Sequence, residues 1–136
     1  MVAWGIGAKW CDEKLIDDFL LNKCLSIGWS RNEAPDLFSM FSDIKNNDIV
    51  YIKSFVPKNR QLNIYAVGVV KKTLDENDEI TVEWFADMTA HPLKISLNDF
   101  KGKNNVYSNT LYREYNEEII SLIFNHVKNK SKERGM

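Results

Sequence analysis

Cysteine, histidine and a surplus of either charge are scarce in this chain, and each scarcity removes a class of protein. Two cysteines, Cys11 and Cys24, occur in 136 residues. They show no CxxC spacing and are too few for a disulfide framework, so both are read as buried, reduced thiols of a cytoplasmic protein. The two histidines, His91 in a loop before Pro92 and His126 near the C-terminus, lack metal-ligand spacing. Lys and Arg number 18 against 19 Asp and Glu, a net charge of −1. Proteins that hold nucleic acid mainly by neutralising phosphates are strongly basic as whole domains, so any nucleic-acid role here must be local. No apolar run approaches the ~20 residues of a membrane span, and the N-terminus lacks the charged start and apolar stretch of a signal peptide. Neither a membrane nor an export role is expected.

What is present is the composition of an ordinary folded domain. Apolar residues make up 44% of the chain and charged residues 27%, which suits a single core and suggests neither disorder nor a fibrous class. No internal repeat or low-complexity linker divides it. The expected organisation is one domain over residues 1–128 and a basic, flexible tail over 129–136, where Lys130, Lys132 and Arg134 cluster just after Lys128. A second basic group, Lys53, Lys58 and Arg60, flanks a loop containing Pro57.

The hydrophobic period changes along the chain in a readable order. Residues 2–7 read as a strand. Residues 12–21 then place Leu15, Ile16, Phe19 and Leu20 on one side of a helix whose first turn is acidic. A strand is expected over 24–29, then a short helix from Pro35 carrying Leu37, Phe38, Phe41 and Ile44. A turn at Asn46-Asn47-Asp48 leads into a buried strand over 49–55 and a polar loop over 56–60. In the long strand over 62–70, Leu62, Ile64 and Ala66 alternate with Asn63, Tyr65 and Val67, and Gly68 predicts a bulge or bend. A turn at 75–78 precedes a strand over 79–85 in which Ile80, Val82 and Trp84 share a face. A short strand over 93–97, an irregular polar stretch over 98–110 and a helix over 116–128 complete the series. Most strands are joined by turns, which predicts an α+β fold: a mixed, strongly bent sheet or small β-barrel flanked by about three helices.

The four tryptophans divide by position. Trp4 has the strand parity of Val2 and Ile6, and Trp84 that of Ile80 and Val82, so both are expected in the core. Trp10 and Trp29 instead stand where short apolar runs give way to polar sequence. An aromatic at the mouth of a strand can present a flat face to a planar ligand, and nucleobases are commonly read by stacking. Both residues remain open to a pocket role or a core role.

The ordered series 2–10, 25–30, Asp48-Ile49-Val50-Tyr51-Ile52-Lys53-Ser54, Ile64-Tyr65-Ala66-Val67-Gly68-Val69-Val70 and Ile80-Thr81-Val82-Glu83-Trp84-Phe85 resembles the PUA-like superfamily. Within it, the series is similar to the EVE and YTH domains, which read modified bases. The resemblance implies that the segment after the first strand, with Lys9 and Trp10, lines a base pocket and that Trp29, backed by Ser30, forms a wall of an aromatic cage. The turn over 71–79 has no aromatic where YTH domains carry a second cage tryptophan, so Trp10 or Phe55 would supply the other wall. The polar segment with Ser108, Asn109, Thr110 and Arg113 would hold the nucleotide and its phosphate. The implied base-binding set is Lys9, Trp10, Trp29, Ser30, Ser54, Phe55 and Asn109. The phosphate-binding set is Lys53, Lys58, Arg60, Thr110 and Arg113.

Enzyme patterns are weak by comparison. Gly5-Ile6-Gly7-Ala8-Lys9-Trp10 opens like a dinucleotide fingerprint, but Trp10 occupies the place of the third glycine. Pro35-Asp36 with Asp43-Ile44-Lys45 imitates a nuclease signature, yet these residues fall on one short helix rather than on adjoining strands. No catalytic residue, metal or cofactor is therefore expected. The primary expectation is a non-catalytic module that recognises a methylated or hydroxymethylated base in DNA or RNA, serving as the specificity part of a larger effector in a defence or restriction system. The alternative is a PUA-like domain that binds a small ligand or protein partner, or a weak hydrolase.

Overall fold

The fold turns on one long strand that changes partners halfway along its length. The computed structural model describes residues 2–7, 13–27, 32–99, 107 and 109–134. In chain order the elements are β1 (Ala3–Gly7), α1 (Glu13–Asn22), β2 (Cys24–Leu25), α2 (Pro35–Ser42), β3 (Ile49–Val56), β4 (Gln61–Lys72), β5 (Ile80–Asp87), β6 (Leu93–Ser96), β7 (Leu111–Glu114) and α3 (Glu117–Arg134). The sheet order is β2-β5-β4-β3-β1-β7, with β6 also on β4. β1 runs parallel to β3 and every other pairing is antiparallel. One edge of β4 pairs with β3; the other pairs with β6 through Gln61–Ile64 and with β5 from Ala66 onward. β6 and β5 follow one another along that edge, and the sheet curls strongly into a half-barrel in a mixed α+β fold with three helices.

Each face of the sheet buries its own core. On the first face, Trp4, Ile6, Val50, Ile52, Ala66, Val70, Ile80 and Val82 pack under Ile16 and Phe19 of α1 and Phe38 and Phe41 of α2. The apolar stripes read from the helical period are those the helices bury, and Leu21 on the opposite side of α1 is exposed. Pro35 begins α2 at the position where its missing N–H costs nothing. On the second face, Tyr51, Leu62, Ile64, Val67, Ile95 and Tyr112 meet Ile119 and Ile123 of α3. The Asn116 side chain accepts the Glu118 N–H at 2.9 Å and caps this helix.

The structure revises several sequence expectations. A register shift between Ile52 and Lys53 leaves Tyr65 as an extra residue on β4. Strict alternation, which groups Ala66 with Leu62 and Ile64, therefore breaks: Leu62 and Ile64 share the second core with Val67, while Ala66 belongs to the first. The bend expected at Gly68 is a second register shift. A Cβ there would lie 2.5 Å from Val82 Cγ1 and 2.8 Å from Trp84 Cε3. Gly68→Ala should therefore cost about 1–3 kcal/mol by overpacking, read as a lower urea midpoint; an unchanged midpoint would show that β5 simply yields. β2 comprises two residues rather than six, with residues 28 and 29 outside the described set. β7 occupies residues between the irregular stretch expected over 98–110 and the helix expected over 116–128, where no strand was read, and α3 extends past the expected end of that helix to Arg134.

Both core tryptophans are also tied by hydrogen bonds. The Trp4 indole donates to Asp48 Oδ2 at 3.0 Å, and the same oxygen accepts the Lys45 N–H at 2.9 Å, closing the turn into β3. The indole of half-buried Trp84 donates to the Phe19 carbonyl at 3.0 Å and fastens α1 to β5. No helix among the described residues is long and apolar enough to cross a membrane.

Candidate functional site

Toward the end of β3 the first face changes from apolar to polar, without turning over. Val50 and Ile52 lie in the core, and Ser54 follows on the same side two residues later. The extra residue in β4 brings Tyr65 to this face, where its hydroxyl and Ser54 Oγ share a hydrogen bond of 2.8 Å. Asn63 Nδ2 donates to Ser54 Oγ at 3.4 Å, and Gln61 Nε2 donates to Asn63 Oδ1 at 2.7 Å. All four side chains are half-buried. The set offers hydroxyl and amide donors and acceptors beside an aromatic ring, as the edge and face of a heterocycle require. β1 ends level with this cluster, because Gly7 pairs with Lys53.

Of the residues expected to bind a base, Ser54 lies in this cluster. Phe55 does not: it pairs with Leu62 on the opposite side of β3 and packs against the second core. Period-two alternation makes Ser54 and Phe55 incompatible as walls of one pocket. Lys9, Trp10, Trp29, Ser30 and also Ser108 lie outside the described residues. Asn63 and Tyr65 were missed as site residues; Asn63, a polar position between Leu62 and Ile64, carried a visible signal, and Tyr65 did not.

Lys53, expected at a phosphate, points into the second face instead. It is 3% exposed, and its Nζ donates to the carbonyls of Tyr107 and Asn109 at 2.6 Å each, 5.1 Å from the centroid of the Tyr112 ring. Its ammonium braces the segment before β7 against β3. Beside it the Glu114 carboxylate accepts from the Tyr51 hydroxyl at 2.9 Å and the Tyr107 hydroxyl at 3.1 Å, and the Tyr51 and Tyr112 hydroxyls are 2.8 Å apart. Tyr112 fits because Gly5 lies beneath it: a Cβ on Gly5 would be 2.5 Å from Tyr112 Cζ. Burial, reinforced by the nearby Glu114 charge, holds the phenols of Tyr51, Tyr107 and Tyr112 well above their usual range.

The remaining expected phosphate contacts divide into two places. Lys58 and Arg60 are exposed in the β3–β4 turn, where Arg60 adopts a left-handed φ of 49°. Arg113 is exposed on edge strand β7, its guanidinium 5.0 Å from the centroid of the Tyr115 ring. Arg113 is level with Trp4 and hence with Val50, while the turn begins after Val56. Six residues at about 3.3 Å each separate these levels by roughly 20 Å, so the two groups cannot hold one phosphate. Asn109 and Arg113 line a groove of about 480 Å³ between β7 and α2, with Met40, Asp43, Asp48 and Tyr115. Thr110 lends its carbonyl to the Gly7 N–H at 2.6 Å.

Among the described residues, no cluster of three or more His, Cys, Asp or Glu side chains could hold a metal ion. The Cys24 thiol is pushed up to about 11, first by burial and then by its hydrogen bond to Glu79, which disfavours the nucleophilic thiolate. Comparison of the chain with protein-family models gives no match, and comparison with curated proteins gives no significant match.

Proposed function

We propose that this chain is a non-catalytic nucleic-acid-binding module that recognises a methylated or hydroxymethylated base in DNA or RNA. The observation that carries the reading is the Ser54–Tyr65–Asn63 cluster, a half-buried set of hydrogen-bonding groups at the level where β1 ends. Trp10 follows Gly7 by three residues, so the sequence supplies an aromatic face close along the chain to this end of the sheet, whereas β2, which precedes Trp29, pairs with the start of β5 level with Lys72, far along β4 from Asn63. Extracting a base from its stack costs a few kcal/mol. Stacking returns about 1–3 kcal/mol per base, and a buried methyl adds roughly 0.8 kcal/mol. Hydrogen bonds from Ser54, Asn63 and Tyr65 to the base edge would supply the remaining selectivity. Arg113, remote from Lys58 and Arg60, would meet a different part of the bound strand. In this reading the module needs no cofactor and acts in the cytoplasm with a larger effector protein, and a membrane plays no part.

The test is titration of short single-stranded oligonucleotides by fluorescence anisotropy, comparing modified and unmodified members of identical sequence. The modified member should bind more tightly, and Trp10→Ala should remove that preference with little change in melting temperature. Equal affinity across all pairs would overturn the proposal. Loss of folding in Trp10→Ala as severe as in a core variant would assign Trp10 to the core.

The groove along β7 favours a second reading. Met40 and Tyr115 are exposed apolar side chains that border it beside Arg113. A small ligand or a peptide would fit such a groove without any nucleic acid. Binding of oligonucleotides unaffected by Tyr115→Ala, together with ligand-dependent protection of Tyr115, would separate this function from base reading.

A further inference from the structure

The polar face of the sheet continues past the Ser54–Asn63–Tyr65 cluster onto β6. Cross-strand partners in an antiparallel sheet point to the same side, so the register defines two rows: Ser54–Asn63–Lys94 and Val56–Gln61–Ser96. Neighbouring strands lie about 4.8 Å apart, which makes each row roughly 10 Å wide. Lys94 and Ser96 are exposed, and Lys58 and Arg60 project from the adjoining turn. Neither row contains a carboxylate. Asp87, which pairs with Ala66 further along the same face, is engaged by the N–H and hydroxyl of Thr89 at 3.0 and 2.7 Å. The groove along β7 differs, because Asp43 and Asp48 lie there beside Lys45 and Arg113.

We propose that the single-stranded nucleic acid flanking the recognised base crosses this β3–β4–β6 face, with Lys94, Lys58 and Arg60 contacting its phosphates. The inference rests on the base-reading function and adds the route of the strand. Charge complementarity selects a polyanion for a platform with one cation in its rows, two in the adjoining turn and no carboxylate in either. The amides and hydroxyls can meet base edges and sugars, which present both donors and acceptors. The hydrogen bonds from Gln61 to Asn63 and from Asn63 to Ser54 order these side chains before any ligand arrives, which lowers the entropy lost on binding.

The experiment compares a trinucleotide and a nonanucleotide carrying the same central modified base, titrated against the full chain and its Lys94→Gln variant over a salt series. Lys94 is exposed, and circular dichroism checks that the variant is folded. The nonanucleotide should bind the unaltered chain more tightly than the trinucleotide. Lys94→Gln should weaken nonanucleotide binding about fivefold at low salt and make the slope of log affinity against log salt shallower by about 1, leaving the trinucleotide unaffected. Lys58→Gln should act in the same direction. Retained preference for the modified base with a length gain indifferent to Lys94 overturns the route alone. A Lys94-dependent length gain without base preference overturns the base-reading function and leaves the route standing. Equal loss for both lengths also overturns the route, because Lys94 would then serve the base site. Binding of polyglutamate with the same Lys94 dependence overturns the assignment to nucleic acid, and failure to bind either oligonucleotide overturns both proposals.

Discussion

Raising the pH above about 9 should destabilise this protein steeply, because four of its ionisable groups hold their protons more tightly folded than unfolded. The first is Cys24, whose thiol is raised from 9.0 to about 11. Between these values the unfolded chain releases a proton that the folded chain keeps, which lowers the unfolding free energy, by less than the ~1.4 kcal/mol per pH unit of a fully buried group because water screens the half-buried thiol. The others are Tyr51, Tyr107 and Tyr112, raised from 10.0 chiefly by burial. A group with a raised folded pKa contributes stability that is complete below its unfolded value and is lost as pH climbs toward the folded value. Above pH 10 the three tyrosines together should add a decline of up to about 4 kcal/mol per pH unit. Urea midpoints measured from pH 8 upward would reveal the onset, and Tyr107→Phe should flatten the tyrosine part by about a third. A stability curve level up to pH 11 would show that the cluster opens to water without unfolding the chain.

Trp4→Ala should be the most damaging tryptophan substitution in the described core. The side chain is 5% exposed, packs among first-face residues and donates to a carboxylate that is itself buried. Truncation leaves a cavity and costs about 3–5 kcal/mol, which in a domain of this size lowers the melting temperature by about 10–15 °C. Trp4→Phe keeps most of the volume but leaves Asp48 with the Lys45 N–H and no indole, for about 1–3 kcal/mol. Thermal melts of the two variants separate packing from hydrogen bonding. Equal losses would mean that the indole N–H, rather than the ring volume, holds the turn into β3.

The sheet end that carries the candidate site shows how much local sequence conveys. Parity alone aligned Ser54 with Val50 and Ile52, and it also placed Lys53 and Phe55 on the other side, so the error of grouping all three in one site was correctable from the strand period. Tyr65 was different. It joins Ser54 because one extra residue in β4 resets the alternation, and no local pattern marks where that reset falls. The same reset made Ala66 part with Leu62 and Ile64.

The amphipathic stripes of α1, α2 and α3, the turn at 46–48, the β4–β5 hairpin and the bend at Gly68 were determined by the sequence itself. Each depends on residues within one or two turns of chain, where side-chain period, a missing Cβ or a capping carboxylate acts without reference to distant partners. The tertiary structure alone decided that β7 exists. Leu111, Tyr112 and Glu114 are buried because β1 lies beside them and because Gly5 leaves room for the Tyr112 ring. It also decided that a lysine in a basic-looking stretch is an internal brace and that Arg113 lies roughly 20 Å from Lys58 and Arg60 along the strand direction. Those facts arise from pairings between segments more than forty residues apart, and the energy that fixes them is absent from any window of sequence read alone.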